Sequence, residues 1–302
     1  MNLNIINETD KLLSVILGIG EDMGDIPSAD ECIDPKTKFN LLNNTYPNEN
    51  DCINEIKSFS NILKKYDVEV LRPNNIKGLN QIFTRDISFV VENKIFIPEI
   101  IESRNKEKDG IKSFLNKIKT QDKISIPKNI KIEGGDIILY NDYIFIGLTS
   151  SNHNYKVSRT SRNSIDFLKD IFPKKNIIGM DLIKDDDKPK ESILHLDCTM
   201  QPIGKDKIII YEEGFENKKD VSVLREIFGK NNFINIGKDE MYEGCSNVFS
   251  INSKTIVSDI TFKKLNRKLE KLDFIVEKVY YREVSKFGGL FRCSTLPLKR
   301  LS

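Results

Sequence analysis

The segment DIILYNDYIFIG, Asp136 to Gly147, decides how the chain is read. An acid opens an apolar run, Asn141 and Asp142 form a short polar break, and a second apolar run follows. β-Branched and aromatic residues on both sides of such a break are hairpin chemistry, because Asn and Asp tolerate the left-handed backbone that tight hairpin turns need. The pattern returns in DISFVVENKIFIPE from Asp86, DCTMQPIGKDKIIIY from Asp197 and NVFSINSKTIVSD from Asn247. The starts are spaced roughly 50 to 60 residues apart, and self-similarity on that scale marks a repeat architecture whose units bury their apolar faces against one another.

Between the hairpins lie helical patterns. DCINEIKSFSNILKKY carries Ile53, Ile56, Phe59, Ile62 and Leu63 on one face behind an acidic start at Asp51. KDGIKSFLNKIK, SRTSRNSIDFLKDIFP, KDVSVLREIFG and TFKKLNRKLEKLDF repeat the pattern. Several are followed by a short apolar stretch such as VEVLRP or NFINIG, read as a third strand. A fifth unit is split: KLLSVILGIG near the start is expected to pair with CSTLPLKR at the end. The reading is an α/β chain closed into a ring by its first and last strands, with residues 1–302 as one domain.

Composition excludes several classes of function. The 302 residues are 39% hydrophobic and 30% charged, an ordinary globular balance. Forty-seven basic and 45 acidic residues nearly cancel, so the chain lacks the concentrated basic footprint of a nucleic-acid binder. No apolar run reaches a membrane span, and the N-terminal apolar piece follows Glu8 and Asp10 rather than a basic region, unlike a secretory signal. The lysine-rich stretch from Glu102 to Lys131 is read as a solvated helix and loop. Five scattered cysteines without a CxxC pair argue against a disulfide framework or structural zinc and fit a reducing cytoplasm. The DDDKPK run from Asp185 lacks the glycine and glutamate of a calcium loop and reads as a solvated turn. The only histidines are His153, in a polar loop and read as exposed, and His195.

In a ring of repeats, equivalent positions face one axis. Here they hold Asp86, Asp136, Asp197, Asn247 and Cys293, with Arg85, Glu133, His195 and Arg292 beside them. Buried carboxylates demand a partner, and a guanidinium, with its planar fork of N–H groups, matches them best. An unperturbed thiol is only a few per cent thiolate at neutral pH, and a nearby cation would activate it. A thiolate would attack the electron-poor guanidinium carbon while a histidine moves protons to the leaving amine and from water.

The chain resembles the guanidino-group modifying enzymes, the superfamily of arginine deiminases, dimethylarginine hydrolases and amidinotransferases. The matching pieces are FTRD (Phe83 to Asp86), EGGD (Glu133 to Asp136), HLD (His195 to Asp197) and GGLFRCSTLPL (Gly288 to Leu298), in the family's order. The resemblance implies a five-bladed α/β-propeller, the pentein fold, of ββαβ units around a pseudo-fivefold axis. It implies Cys293 as nucleophile, His195 as general acid and base, and Glu133 and Asp86 as carboxylates that grip the guanidinium. Asp197 would join them or orient the histidine. It implies no organic cofactor and no metal, and a small guanidine as the partner; dimers are common in the superfamily, so a homodimer is compatible with it. Asn80, six residues before Asp86, resembles a deiminase substrate contact, and Arg159 in SRTSRNSI resembles the arginine that holds the substrate α-carboxylate. Arg85 and Arg292 are further candidates for substrate contact. Asp136, Cys198 and Cys245 read as structural.

The function expected is a hydrolase that cleaves a C–N bond of the guanidinium of arginine or a derivative through an amidino-thioether on Cys293. An amidinotransferase, in which an amine replaces the water, uses the same residues. A non-catalytic propeller would be expected to lose the thiol, the histidine or the carboxylates.

Overall fold

The computed structural model describes residues 2–149 and 155–301, so His153 lies outside the described residues. Among the described residues, fifteen strands are distributed over five three-stranded sheets. The first contains β1 (Lys11–Leu17) and β2 (Glu69–Leu71); the second β3 (Phe89–Val91), β4 (Lys94–Ile97) and β5 (Lys123–Ser125). The third is β6 (Ile137–Tyr140), β7 (Tyr143–Thr149) and β8 (Asn176–Leu182). The fourth is β9 (Met200–Ile203), β10 (Lys207–Ile210) and β11 (Phe233–Asn235), and the fifth β12 (Phe249–Ser250), β13 (Thr255–Asp259) and β14 (Ile275–Val279). The last strand, β15 (Thr295–Leu301), returns to the first sheet.

Each sheet repeats one logic. An antiparallel hairpin, such as β6 with β7 in the register Ile138↔Phe145, is followed by a crossover and a third strand parallel to the middle one. The hairpin turns use the residues expected of them: Glu92, Asn141 and Gly204 all take positive φ. In the first sheet the hairpin partners come from opposite ends of the chain. β1 pairs antiparallel with β15, Val15 facing Pro297, and parallel with β2.

Contacts at the start of each unit close a ring. The Arg85 amide donates to the Cys293 carbonyl. Gly134 passes so near Arg85 that a Cβ on it would stand 2.1 Å from the Arg85 carbonyl oxygen. The Leu196 amide donates to Asp136 Oδ1, the Ser246 hydroxyl to the Asp197 carbonyl, and the Cys293 amide to Asn247 Oδ1. Five units thus touch in cyclic order through the segments that carry the polar motifs.

The longest helix, Glu49–Lys65, shows why these segments are held firmly. Asn48 caps it by accepting from the Asp51 amide, and Cys52, Ile56, Phe59 and Leu63 form a fully buried stripe at helical spacing. Phe59 meets Phe249, Tyr281 and Phe291 edge-on, at 5.1 to 5.9 Å between ring centroids. Phe291 lies two residues before Cys293, so the C-terminal loop is packed rather than frayed.

Two expectations are corrected. KDGIKSFLNKIK is α-helical only over Lys112–Leu115, preceded by a 3-10 helix over Glu102–Ile111. That segment is not simply solvated, since Glu107, Gly110 and Ile111 are buried. The helix Pro35–Leu42, capped by Asp34, has no counterpart among the sequence-based helical patterns.

Candidate active site

The functional residues stand on short turns that precede the first strand of each sheet. Asp86 lies in the helical turn Thr84–Ile87, Glu133 and His195 directly precede the 3-10 turns Gly134–Asp136 and Leu196–Cys198, and Cys293 precedes β15. Turns of this length leave backbone N–H groups free to bind neighbouring turns and aim the side chains toward one place.

That place is a cavity of about 260 Å3 whose walls include Asp86, His195, Cys293, Arg159, Asn80 and Phe83. His195 Nε2 is 2.9 Å from Glu133 Oε2, and its Nδ1, without a hydrogen-bond partner, is 3.7 Å from Asp86 Oδ1. Burial favours the neutral imidazole, but the charges of Asp86, Asp136 and Glu133 outweigh it and lift the ring pKa to about 9. Burial also pushes the Glu133 carboxyl up, and the Arg159 and His195 charges override it to hold that group near about 2. The pair is therefore an imidazolium–carboxylate pair at neutral pH.

Cys293 is 3% exposed, and among the described residues its sulfur bonds an amide and a carboxylate rather than a cation. The Asn247 amide donates to Sγ at 3.2 Å, and the thiol approaches Asp197 Oδ2 at 3.6 Å. Burial first, then the negative charges of Asp197 and Asp86, drive the thiol pKa well up. In the free protein the sulfur keeps its proton.

Motif glycines make room for this packing. A Cβ on Gly135 would lie 2.7 Å from His195 Cγ and Nδ1 and 3.0 Å from Asp86 Oδ1. A Cβ on Gly289 would lie 3.0 Å from the Cys293 sulfur and 2.7 Å from the Phe83 ring. Both positions admit only hydrogen because functional side chains occupy the space a methyl would take.

The sequence-predicted residues divide into two groups. Asp86, His195, Cys293, Arg159 and Asn80 line the cavity, with Glu133 directly behind His195. Arg159 is 5% exposed, its Nη1 is 3.5 Å from Glu133 Oε1, and its Nε and Nη1 have no hydrogen-bond partner. Asn80 accepts from the Ile82 amide and stays half-buried at the wall. Asp186, from the DDDKPK run, accepts the Lys156 and Val157 amides and so steadies the approach to Arg159.

Arg85 and Arg292 do not reach the cavity, contrary to expectation. Arg292 is fully buried beneath it, bonding Glu8, Asp197 Oδ2 at 2.8 Å and the Ile137 carbonyl. Arg85 donates to the Arg292 carbonyl and the Thr295 hydroxyl. These bonds all lie within the protein. Asp197 is likewise tied to Arg292 and lies beside the Cys293 sulfur, not against His195 and not on the cavity wall. Asp136 is structural as expected, accepting from the Leu196 amide and the Thr160 hydroxyl.

Arg104 and Glu107 were missed by sequence reasoning. Arg104 Nη1 meets Asp86 Oδ2 at 2.8 Å, and both residues line the cavity. The available signal was one arginine, three residues before a glutamate, in a stretch whose other bases are lysines. Asp86, Glu133 and His195 also bring potential ligand atoms within 4.8 Å of one another. A cation placed there, whether a metal ion or a guanidinium, would meet the same negative charges.

Residues 33–300 match the family model described as N,N dimethylarginine dimethylhydrolase, eukaryotic. The chain is 31% identical over 246 residues to the uncharacterized protein YkgA of Bacillus subtilis (strain 168), covering 77% of this chain and 78% of that one. Among solved structures, SxtG, an amidinotransferase from Microseira wollei in saxitoxin biosynthesis, superposes with a TM-score of 0.79 at 18% identity over 99% of this chain and 98% of its own. The N-terminal domain of ArgZ, an arginine dihydrolase from the ornithine-ammonia cycle in Cyanobacteria, gives 0.79 at 17% identity over 95% and 98%. Inosamine-phosphate amidinotransferase StrB1 from Streptomyces griseus gives 0.78 at 15% identity over 99% and 97%. At those identities the structures speak for the fold alone, whereas the family model spans nearly the whole chain: the protein belongs to the N,N dimethylarginine dimethylhydrolase family, within the guanidino-group modifying pentein superfamily.

Proposed function

We propose that the protein hydrolyses a C–N bond in the guanidinium group of arginine or an arginine derivative, and that residues 1–302 act as one five-bladed α/β-propeller domain. One observation carries the proposal. Around a single cavity the chain leaves Asp86 Oδ1, Glu133 Oε1 and His195 Nδ1 buried without hydrogen-bond partners, beside a cysteine whose sulfur bonds Asn247 and Asp197. Buried polar atoms are rarely left unpaired without cause, and a planar cation with several N–H groups answers them together.

In this reading the guanidinium binds against Asp86, and its positive charge supplies what the thiol lacks. The Cys293 proton leaves, with Asp197 Oδ2 as an adjacent acceptor, and the thiolate attacks the guanidinium carbon. The tetrahedral adduct that forms collapses to an amidino-thioether as its C–N bond breaks, expelling an amine or ammonia that takes a proton from His195 Nδ1. The same nitrogen then receives a proton from water as the water attacks the thioether carbon. The C–S bond breaks as the ureido product leaves, and the proton held by Asp197 returns to the sulfur, restoring the thiol. Glu133 keeps the imidazolium charged and aimed. Arg159, with unpartnered donors, takes the substrate carboxylate, and Asn80 supplies a polar contact at the wall. The chemistry needs only thiol, imidazole, carboxylates and water. The cysteine usage noted above fits a reducing compartment such as the cytoplasm.

Amidino transfer differs only in what attacks the thioether, so one experiment separates the two. Arginine, methylated arginines, agmatine and guanidinoacetate are each incubated with wild type and Cys293→Ser, with and without glycine, and products are read by mass spectrometry. A ureido product without acceptor, absent from the variant, is expected. A product formed only with the amine would replace hydrolysis by transfer, and no turnover of any guanidine would count against both.

A further inference from the structure

Resting on the reading of the cavity as a guanidinium site, we propose that Glu107 is a positioning residue that neutralises and orients Arg104, so that Asp86 meets the substrate with its negative charge uncancelled. Arg104 Nε donates to Glu107 Oε1 and Nη2 to Glu107 Oε2, both at 2.8 Å, while Nη1 donates to Asp86 Oδ2 at 2.8 Å. The Nη2 group also reaches the Phe83 carbonyl at 3.4 Å. Asp86 Oδ2 is thereby fixed, and Asp86 Oδ1 is left buried and unpartnered beside His195.

The charge count explains why Glu107 is needed. Asp86 with Arg104 alone would be a neutral pair, whose attraction for a cation is much weaker than that of a free carboxylate. With Glu107 the trio carries one net negative charge. Glu107 and Asp86 are 5% and 3% exposed, so that charge acts through little water and its influence on a cation nearby is large. The fork-on-fork geometry of Arg104 and Glu107 also restricts rotation of the guanidinium, which a single-point contact would not do.

Local structure serves this pairing. The segment Glu102–Ile111 is a 3-10 helix of ten residues, a longer run than this helix type usually sustains. In a 3-10 helix, residues i and i+3 eclipse one another, which stacks Arg104 directly over Glu107. The helix's own hydrogen bonds are poorer than those of an α-helix, and the buried ion pair is the feature gained in exchange.

The test is selective alkylation of Cys293 by a cationic haloacetamidine and by a neutral haloacetamide of similar size, with adduct mass read over time. Wild type is expected to react far faster with the cationic reagent. In Glu107→Gln the cationic rate is expected to fall about tenfold while the neutral rate stays within about twofold, because one buried charge has been removed from the cation's surroundings. Glu107→Asp, which keeps the charge, should recover part of the preference. An unchanged ratio in a folded Glu107→Gln, or equal losses with both reagents, would overturn the proposal. If Glu107→Gln does not fold, Glu107→Ala, which also removes the charge, carries the same measurement, and an unshifted ratio in it overturns the proposal equally. A wild-type ratio near one would instead remove the guanidinium site on which the inference stands.

Discussion

His195 is the residue whose charge state is set most visibly by its neighbours. Its pKa stands at about 9 because three carboxylates outweigh the cost of burying an imidazolium. As an acid toward the leaving amine it keeps its proton through neutral pH, so kcat is expected to fall on the alkaline side near pH 9. Glu133 contributes both a hydrogen bond and a charge to that elevation. Glu133→Gln removes the charge, so the ring pKa drops and the alkaline limb of the kcat profile moves to lower pH. The reverse movement, or none, would show that another group controls the limb. The sign also applies to stability. A raised histidine pKa contributes stability that is fully present below the unfolded value of 6.5 and is lost as pH climbs through about 9. The Cys293 pKa is raised too, but there burial and acidic neighbours act in the same direction, keeping the thiol protonated until a cation arrives.

At the scale of elements, the helix Pro35–Leu42 brings Asp34 to the cavity edge. Asp34 Oδ2 accepts from the Thr37 amide at 2.7 Å and its hydroxyl at 2.8 Å, and the carboxylate borders Gly288. Asp34→Ala should therefore cost about 1 kcal/mol in urea denaturation, the usual worth of a helix cap. A change within error would mean that solvent serves the free amides equally well. This helix also shows what the sequence conceals. Hairpins such as Asp136 to Gly147 were legible because alternating β-formers around Asn-Asp speak locally, and Glu49–Lys65 because its apolar stripe has helical period. Pro35–Leu42 buries only Pro35 and Asn40, so no apolar period announces it. Glu102–Ile111 was opaque for a related reason: its meaning lies in Arg104 and Glu107 meeting Asp86, a contact that no local pattern encodes. Cys293, His195, Asp86 and Glu133 were legible as motifs. The floor position of Arg85 and Arg292 was not, because equivalent places in the ring do not say which side chains point up and which point down.

For the whole molecule, the ring closes on charges rather than on hydrocarbon alone. Beneath the cavity, Arg292 is clamped by Glu8 and Asp197, while Arg300 reaches the Asp10 and Ser250 carbonyls. Glu8 comes from the segment before β1, Asp197 from the fourth unit and Arg292 from the turn before β15, so one cluster ties distant parts of the chain together. Burial alone would raise the Glu8 carboxyl, but Arg292 and Arg85 outweigh it and hold its pKa at about 2. Such a cluster need not stabilise more than well-packed apolar residues would, yet removing one partner leaves a buried charge uncompensated. Glu8→Gln is therefore expected to lose about 3 kcal/mol near neutral pH by urea denaturation. The pH dependence follows from the depressed pKa. The advantage of wild type over the variant is complete above the ordinary carboxyl value of 4.5 and disappears as pH falls through about 2. A gap that stays constant down to pH 2 would mean that Glu8 acts by shape and hydrogen bonding rather than by charge. If Glu8→Gln also changes the alkylation rate of Cys293, the coupling runs through Arg292 and Asp197, whose carboxylate lies 3.6 Å from the sulfur.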